Sequence, residues 1–108
     1  MAVFYIKQGN LAPAIQATLI GTNGTAEDLT SATSVTLRAR RTDRADFLIN
    51  AEATIDDAVT GLVSYQFSGN ETDSAGVFAL EWVKDVGLAT EETYPNVAYD
   101  ALYIEKGL

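Results

Sequence analysis

The sequence predicts an all-β chain folded as a single immunoglobulin-like antiparallel β-sandwich of about seven strands. Three observations carry this. Apolar and polar residues alternate with a period of two almost throughout, and Gly, Asn, Asp and Pro punctuate the alternating runs at regular intervals. No segment sustains a helical repeat over three turns. At 108 residues the chain has the size of one domain, read here as 1–108.

The elements follow in order. VFYIK (3–7) reads as a first strand. AIQATLI (14–20) alternates Ile15, Ala17 and Leu19 against Gln16 and Thr18, and the turn pair Asn23-Gly24 follows. AEDLTSAT (26–33) has room for a single helical turn with Leu29 as an apolar plug. SVTLRAR (34–40) sets Val35, Leu37 and Ala39 on one face and Thr36, Arg38 and Arg40 on the other. FLINAEATI (47–55) reads as one strand, with Phe47, Ile49, Ala51, Ala53 and Ile55 sharing a face. A turn from Asp56-Asp57 to Gly61 leads to a strand with Val63, Tyr65 and Phe67 on one face. A polar loop at 70–76 then gives way to a strand with Phe78, Leu80 and Trp82 together. After the turn Tyr94-Pro95-Asn96, YDALYIE (99–105) points Asp100, Leu102 and Ile104 inward, and Tyr99, Tyr103 and Glu105 outward.

Composition removes several chemistries. There is no cysteine, hence no disulfide, thiolate nucleophile or Cys-type zinc site. There is no histidine either, which removes the usual general base near neutral pH and the commonest transition-metal ligand. The net charge of −8 is unevenly spread. Residues 1–54 hold five basic and five acidic side chains, whereas residues 55–108 hold two and ten. Such a field repels a phosphate backbone, so no nucleic-acid partner is expected. The opening MAVFYIKQGN does not read as a secretory signal, and no run approaches a membrane span, so no membrane partner is expected.

Four features are candidate sites. NETDSAG (70–76) offers Asn70, Glu71 and Asp73 as oxygen ligands for a hard cation. It lacks the alternating spacing of a calcium loop, and turn chemistry explains each residue, so no metal is expected there. Asp56 and Asp57 form a carboxylate pair without a partner across a cleft, and no catalytic residues are assigned. RARRTDRAD (38–46) gathers four of the seven basic residues, Arg38, Arg40, Arg41 and Arg44. These either dock an acidic partner, such as the acidic half of another copy, or pair locally with Asp43 and Asp46. Tyr99 and Tyr103 complete the candidate protein-interaction set, while Trp82 reads as core.

IKQGNLAPAIQATLIGTNGTAEDLTSATSVTLRAR (6–40) resembles the opening of the N-terminal domain of phage baseplate upper proteins and related short tailed-phage virion proteins. The shared pattern is a Gln-Gly turn, Pro-Ala, an alternating strand, an Asn-Gly or Asp-Gly turn, Asp-Leu-Thr and a strand ending in Arg. GLVSYQFSGNETDSAGVFALEWV (61–83) and TYPNVAYDALYIE (93–105) are similar to later parts of the family in the same order. Two departures stand out: Asn10 replaces a commonly acidic residue, and the sequence stops after the last strand. The resemblance implies an immunoglobulin-like sandwich in a virion, made in the bacterial host cytoplasm. It implies a non-enzymatic attachment or assembly module of tail or baseplate type, without cofactors, whose partners are other virion proteins and copies of itself. Capsid decoration is the alternative, and a carbohydrate- or receptor-binding module a further one.

Overall fold

The computed structural model describes residues 2–96 and 98–107. Among them are nine strands and no helix: β1 (Val3–Lys7), β2 (Ile15–Thr18), β3 (Val35–Arg40), β4 (Ile49–Glu52), β5 (Thr54–Asp57), β6 (Leu62–Tyr65), β7 (Gly76–Lys84), β8 (Glu92–Tyr94) and β9 (Asp100–Glu105). One sheet runs β1-β9-β7-β3-β4, with β8 also on β7; the other runs β2-β6-β5. Setting β2, β6 and β5 against β4, β3, β7 and β9 gives the two-sheet β-sandwich that the alternation predicts. Pairing is antiparallel except between β1 and β9, which run parallel from Val3↔Ala101 to Lys7↔Glu105.

The alternation expected from sequence places the core. Ile15, Leu19, Val63, Tyr65 and Phe67 from one sheet meet Val35, Leu37, Ala39, Phe78, Leu80, Trp82, Leu102 and Ile104 from the other, all buried in one cluster. Each fully buried large apolar side chain contributes on the order of 1.5–3 kcal/mol. Asp100, Leu102 and Ile104 face inward, as their spacing predicts.

Two local expectations are corrected. The count rises from about seven to nine strands partly because 47–55 is not one strand. It divides at the buried Ala53, whose N–H donates to Val35 O (2.8 Å), so that β4 belongs to one sheet and β5 to the other. Phe47 precedes β4 and is 47% exposed, not inward. The other added strand is β8, which lies before the turn at Tyr94-Pro95-Asn96 and pairs with β7 from Trp82 to Lys84, beyond the reach of β9. The 26–33 segment holds a single hydrogen-bonded turn, closed by Ala32 N to Leu29 O (3.0 Å), and goes no further toward a helix. Asp28 Oδ1 accepts from Thr30 N (2.9 Å), the local alternative to a helix that Asp offers the backbone, while Leu29 is buried as the plug.

The end of β7 is held by Asp85, which is buried and sits at φ 54°, a left-handed conformation that Asp tolerates better than most residues. Its carboxylate accepts from the Thr90 hydroxyl (2.7 Å), from Thr33 N (2.7 Å) and from Ser34 N (3.4 Å). It thereby ties the 85–91 loop to the lead into β3. These bonds, the Thr90 hydroxyl first, hold the carboxyl below its ordinary value. A depressed folded-state pKa stabilises the fold above the unfolded-state value and is lost as pH falls through the folded-state value. Asp85→Asn should therefore lower the urea midpoint fully above about pH 4, where an unfolded Asp is ionised, and progressively less below it. A deficit that did not change with pH would contradict this role.

Candidate protein-interaction face

The six-stranded sheet has an outer face whose composition follows from strand parity. Since Phe78, Leu80 and Trp82 point into the core, Val77, Ala79 and Glu81 of β7 must point out. Register then aligns rows across the sheet. Tyr5, Tyr103 and Val77 form one row; Val3, Ala101, Ala79 and Arg40 form the next; Glu81, Arg38 and Asn50 form a third. The Tyr5 and Tyr103 rings lie 5.2 Å apart at 34°. Val3, Tyr5, Phe47, Val77 and Tyr99 are all large apolar side chains left exposed on this side, with Tyr5 at 65%. Scattered exposed apolar residues are ordinary, but a contiguous set on one sheet face marks an interaction surface.

The small residues Ala79 and Ala101 keep the middle of the face low between larger side chains. Beside them Arg38, Arg40, Thr42, Phe47, Glu81 and Tyr99 line a depression of about 280 Å³ with Ala79. The Arg38 guanidinium stands 5.7 Å from the Phe47 ring centroid, and its Nε donates to Asn50 Oδ1 (3.3 Å). Arg40 Nη1 donates to Arg44 O (2.6 Å), holding the 41–44 turn against the strand end. Cationic and aromatic groups thus share one shallow concavity, the mixture enriched at protein interfaces.

Of the six residues singled out by sequence, the structure brings Arg38, Arg40 and Tyr99 to this depression and puts Tyr103 in the adjoining row. Arg41 goes elsewhere. It lies 4.8 Å from the Phe78 ring centroid and donates to Ala75 O (2.9 Å), so it braces the 70–76 loop. Arg44 is exposed at the turn beside Arg41, Asp46 and Phe47. Local pairing of these arginines with Asp43 and Asp46 is not found: the ion pairs among the described residues both belong to Lys84, with Glu27 and Glu92 at 3.6 Å each.

Val3, Tyr5, Phe47 and Val77 were missed by sequence reasoning. VFYI does carry a signal, because apolar residues at four successive positions put apolar groups on both faces of a strand. The parallel register that sets Tyr5 beside Tyr103 has no local signature.

The polar loop 70–76 serves the fold. Glu71 Oε2 accepts from the Tyr65 hydroxyl (2.7 Å) and Oε1 from Ser68 N (2.9 Å). The buried Thr72 donates its hydroxyl to Asn10 O (2.8 Å) and accepts at its carbonyl from Gly9 N (2.9 Å). The loop therefore clamps the connection leaving β1. Asp56 accepts from Gln16 Nε2 (3.4 Å), whereas Asp57 accepts from Thr60 N (3.4 Å), and both are exposed. No group of three or more acidic side chains able to hold a metal ion comes together among the described residues.

Comparison with protein-family profiles finds no match for this chain, and comparison with curated proteins finds no relative.

Burial first, and then the Glu71 carboxylate, push the Tyr65 phenol up to about 12. A raised folded-state pKa stabilises the fold below the ordinary tyrosine value and is lost as pH rises through the folded one. Tyr65→Phe should cost about 1–2 kcal/mol in urea unfolding at neutral pH, as loss of a bond to a charged acceptor does. The cost should shrink in strongly alkaline solution. A neutral-pH change within error of zero would mean that Glu71 does not anchor this corner.

Proposed function

We propose that the chain is a non-enzymatic structural protein of a tailed-phage virion, an attachment or assembly module of tail or baseplate type. The observation that carries this reading is the outer face of the six-stranded sheet, where Tyr5, Val77, Phe47 and Tyr99 lie exposed, with the half-buried Tyr103, around low alanines. A face of this kind gains free energy when a second protein covers it. The ordered resemblance of 6–40, 61–83 and 93–105 to phage baseplate upper proteins supports the virion setting. The absence of histidine and cysteine, and the separate hydrogen bonds of Asp56 and Asp57, support a role without catalysis.

The partners on this reading are other virion proteins and copies of the chain itself. Arg38 and Arg40 on the face, with Arg44 at its margin, meet complementary charge in the acidic second half of a neighbouring copy, a head-to-tail contact suited to a ring or lattice. A capsid-decoration role uses the same face at a different place in the particle. The carbohydrate-binding reading draws on one observation, the pairing of the exposed Tyr5 with the half-buried Tyr103, whose rings offer a stacking platform.

The test is incorporation into particles. Ala79→Arg places a charge in the middle of the face without touching the core. Mass spectrometry of purified virions should find the natural chain as a stoichiometric component, and the variant should be depleted at least about tenfold, roughly 1.4 kcal/mol of association, with its Tm unchanged. Absence of the natural chain from virions would overturn the phage role. Equal incorporation of both would remove the face from assembly.

A further inference from the structure

A second concavity, of about 460 Å³, opens between the edge of β2 and the strands β1 and β9. Its floor is apolar: the half-buried Phe4, Ala17 and Pro95 line it, over the buried Leu19, Trp82 and Tyr94. Trp82 Nε1 and the Tyr94 hydroxyl are also the two buried side-chain groups without a hydrogen-bond partner among the described residues.

The rim supplies an open ladder. β2 lies at the end of its sheet and pairs with β6 alone. Leu19 N donates to Gly61 O (2.9 Å), so residues of the same parity, Ile15 and Ala17, turn their backbone groups toward β6. Gln16 and Thr18 turn theirs to the open edge. Two such residues repeat about 7 Å apart along a strand, which an extended backbone matches and a compact small molecule does not.

The cleft also has a charge requirement. Asp100 lines it at 8% exposure, with Oδ1 accepting from Ala2 N (2.8 Å), and among the described residues no Lys or Arg lines the cleft with it. A carboxylate this deep is best matched by a cation brought in from outside.

We propose that the β2 edge and this cleft accept an extended strand from a partner protein. The strand pairs with the backbone of Gln16 and Thr18, drops alternate apolar side chains onto the floor, and carries one Lys or Arg to Asp100. A second copy's β2 does not meet this need. Its inward residues, Ile15 and Leu19, are already buried in their own core and leave nothing to fill the cleft. The surface is separate from the outer face of the six-stranded sheet, and the proposal stands whether or not the chain belongs to a virion.

The test uses the whole chain and the synthetic peptide Thr-Val-Thr-Val-Thr-Lys-Thr, followed by amide exchange in NMR. Binding should slow exchange at Gln16 and Thr18 by at least about tenfold, and a Lys-to-Glu peptide should bind at least about tenfold more weakly. Thr18→Pro removes an edge donor without touching the β6 ladder, a position where strands tolerate proline, and should abolish protection at Gln16. Ala17→Leu fills the cleft from within and should do the same, so that the result does not depend on the proline variant folding. No protection by the Lys peptide, equal affinity for the Glu peptide, or protection retained in Ala17→Leu would overturn the proposal. So would protection of these amides by self-association without peptide, which would make the edge a dimer contact.

Discussion

The structure depends on β7 being hydrogen-bonded along both edges while burying one face. β3 takes one edge from Ala79 to Lys84, and β9 and β8 share the other. A slip of one residue would turn Phe78, Leu80 and Trp82 outward and bring Val77, Ala79 and Glu81 into the core. Burial of the Trp82 side chain alone makes that exchange unfavourable, so the register is set by packing. Once it is set, the outer rows are set too. The exposed tyrosines, the low alanines and the Arg38–Arg40 pair are consequences of the same constraint that builds the core.

This dependence explains why loops of unlike sequence do structural work. Asp85 closes the far end of β7 against the lead into β3, and Glu71 and Thr72 close its near end against Tyr65 and the chain leaving β1. Both loops are acidic and polar, which in isolation suggests ligands. Their oxygens are instead occupied by backbone N–H groups and hydroxyls, the partners that buried or half-buried acceptors require. The acidic 85–91 loop and the positive charge at 38–44 lie at opposite ends of β7, while the 70–76 loop sits beside Arg41, an arrangement that suits ordered association more than binding of a small solute.

Much of the fold was legible because period-two alternation reports burial directly, as at Val35, Leu37 and Ala39 or Leu102 and Ile104. The misreadings arose where alternation continued through a change of partner. Ile49 to Ile55 keeps its rhythm while the chain leaves one sheet for the other at Ala53, and nothing in the pattern marks the crossing. Phe47 fits the rhythm but lies before the ladder begins, where the neighbouring Arg38 holds it outside. The candidate site was legible as a cluster of arginines and two outward tyrosines. Its other half, Val3, Tyr5 and Val77, depends on a parallel pairing between the first strand and the last, and Arg41 turned inward because Phe78 and Ala75 O were within its reach.

The central claim is that the outer face of the six-stranded sheet is covered by protein in the assembled state. A reconstruction of the particle at side-chain resolution tests it most directly. The account predicts that Tyr5, Val77, Tyr103 and the Ala79 depression lie under a neighbouring subunit, with acidic side chains facing Arg38 and Arg40. A reconstruction in which that face looks into solvent while the chain is held by other surfaces would contradict it.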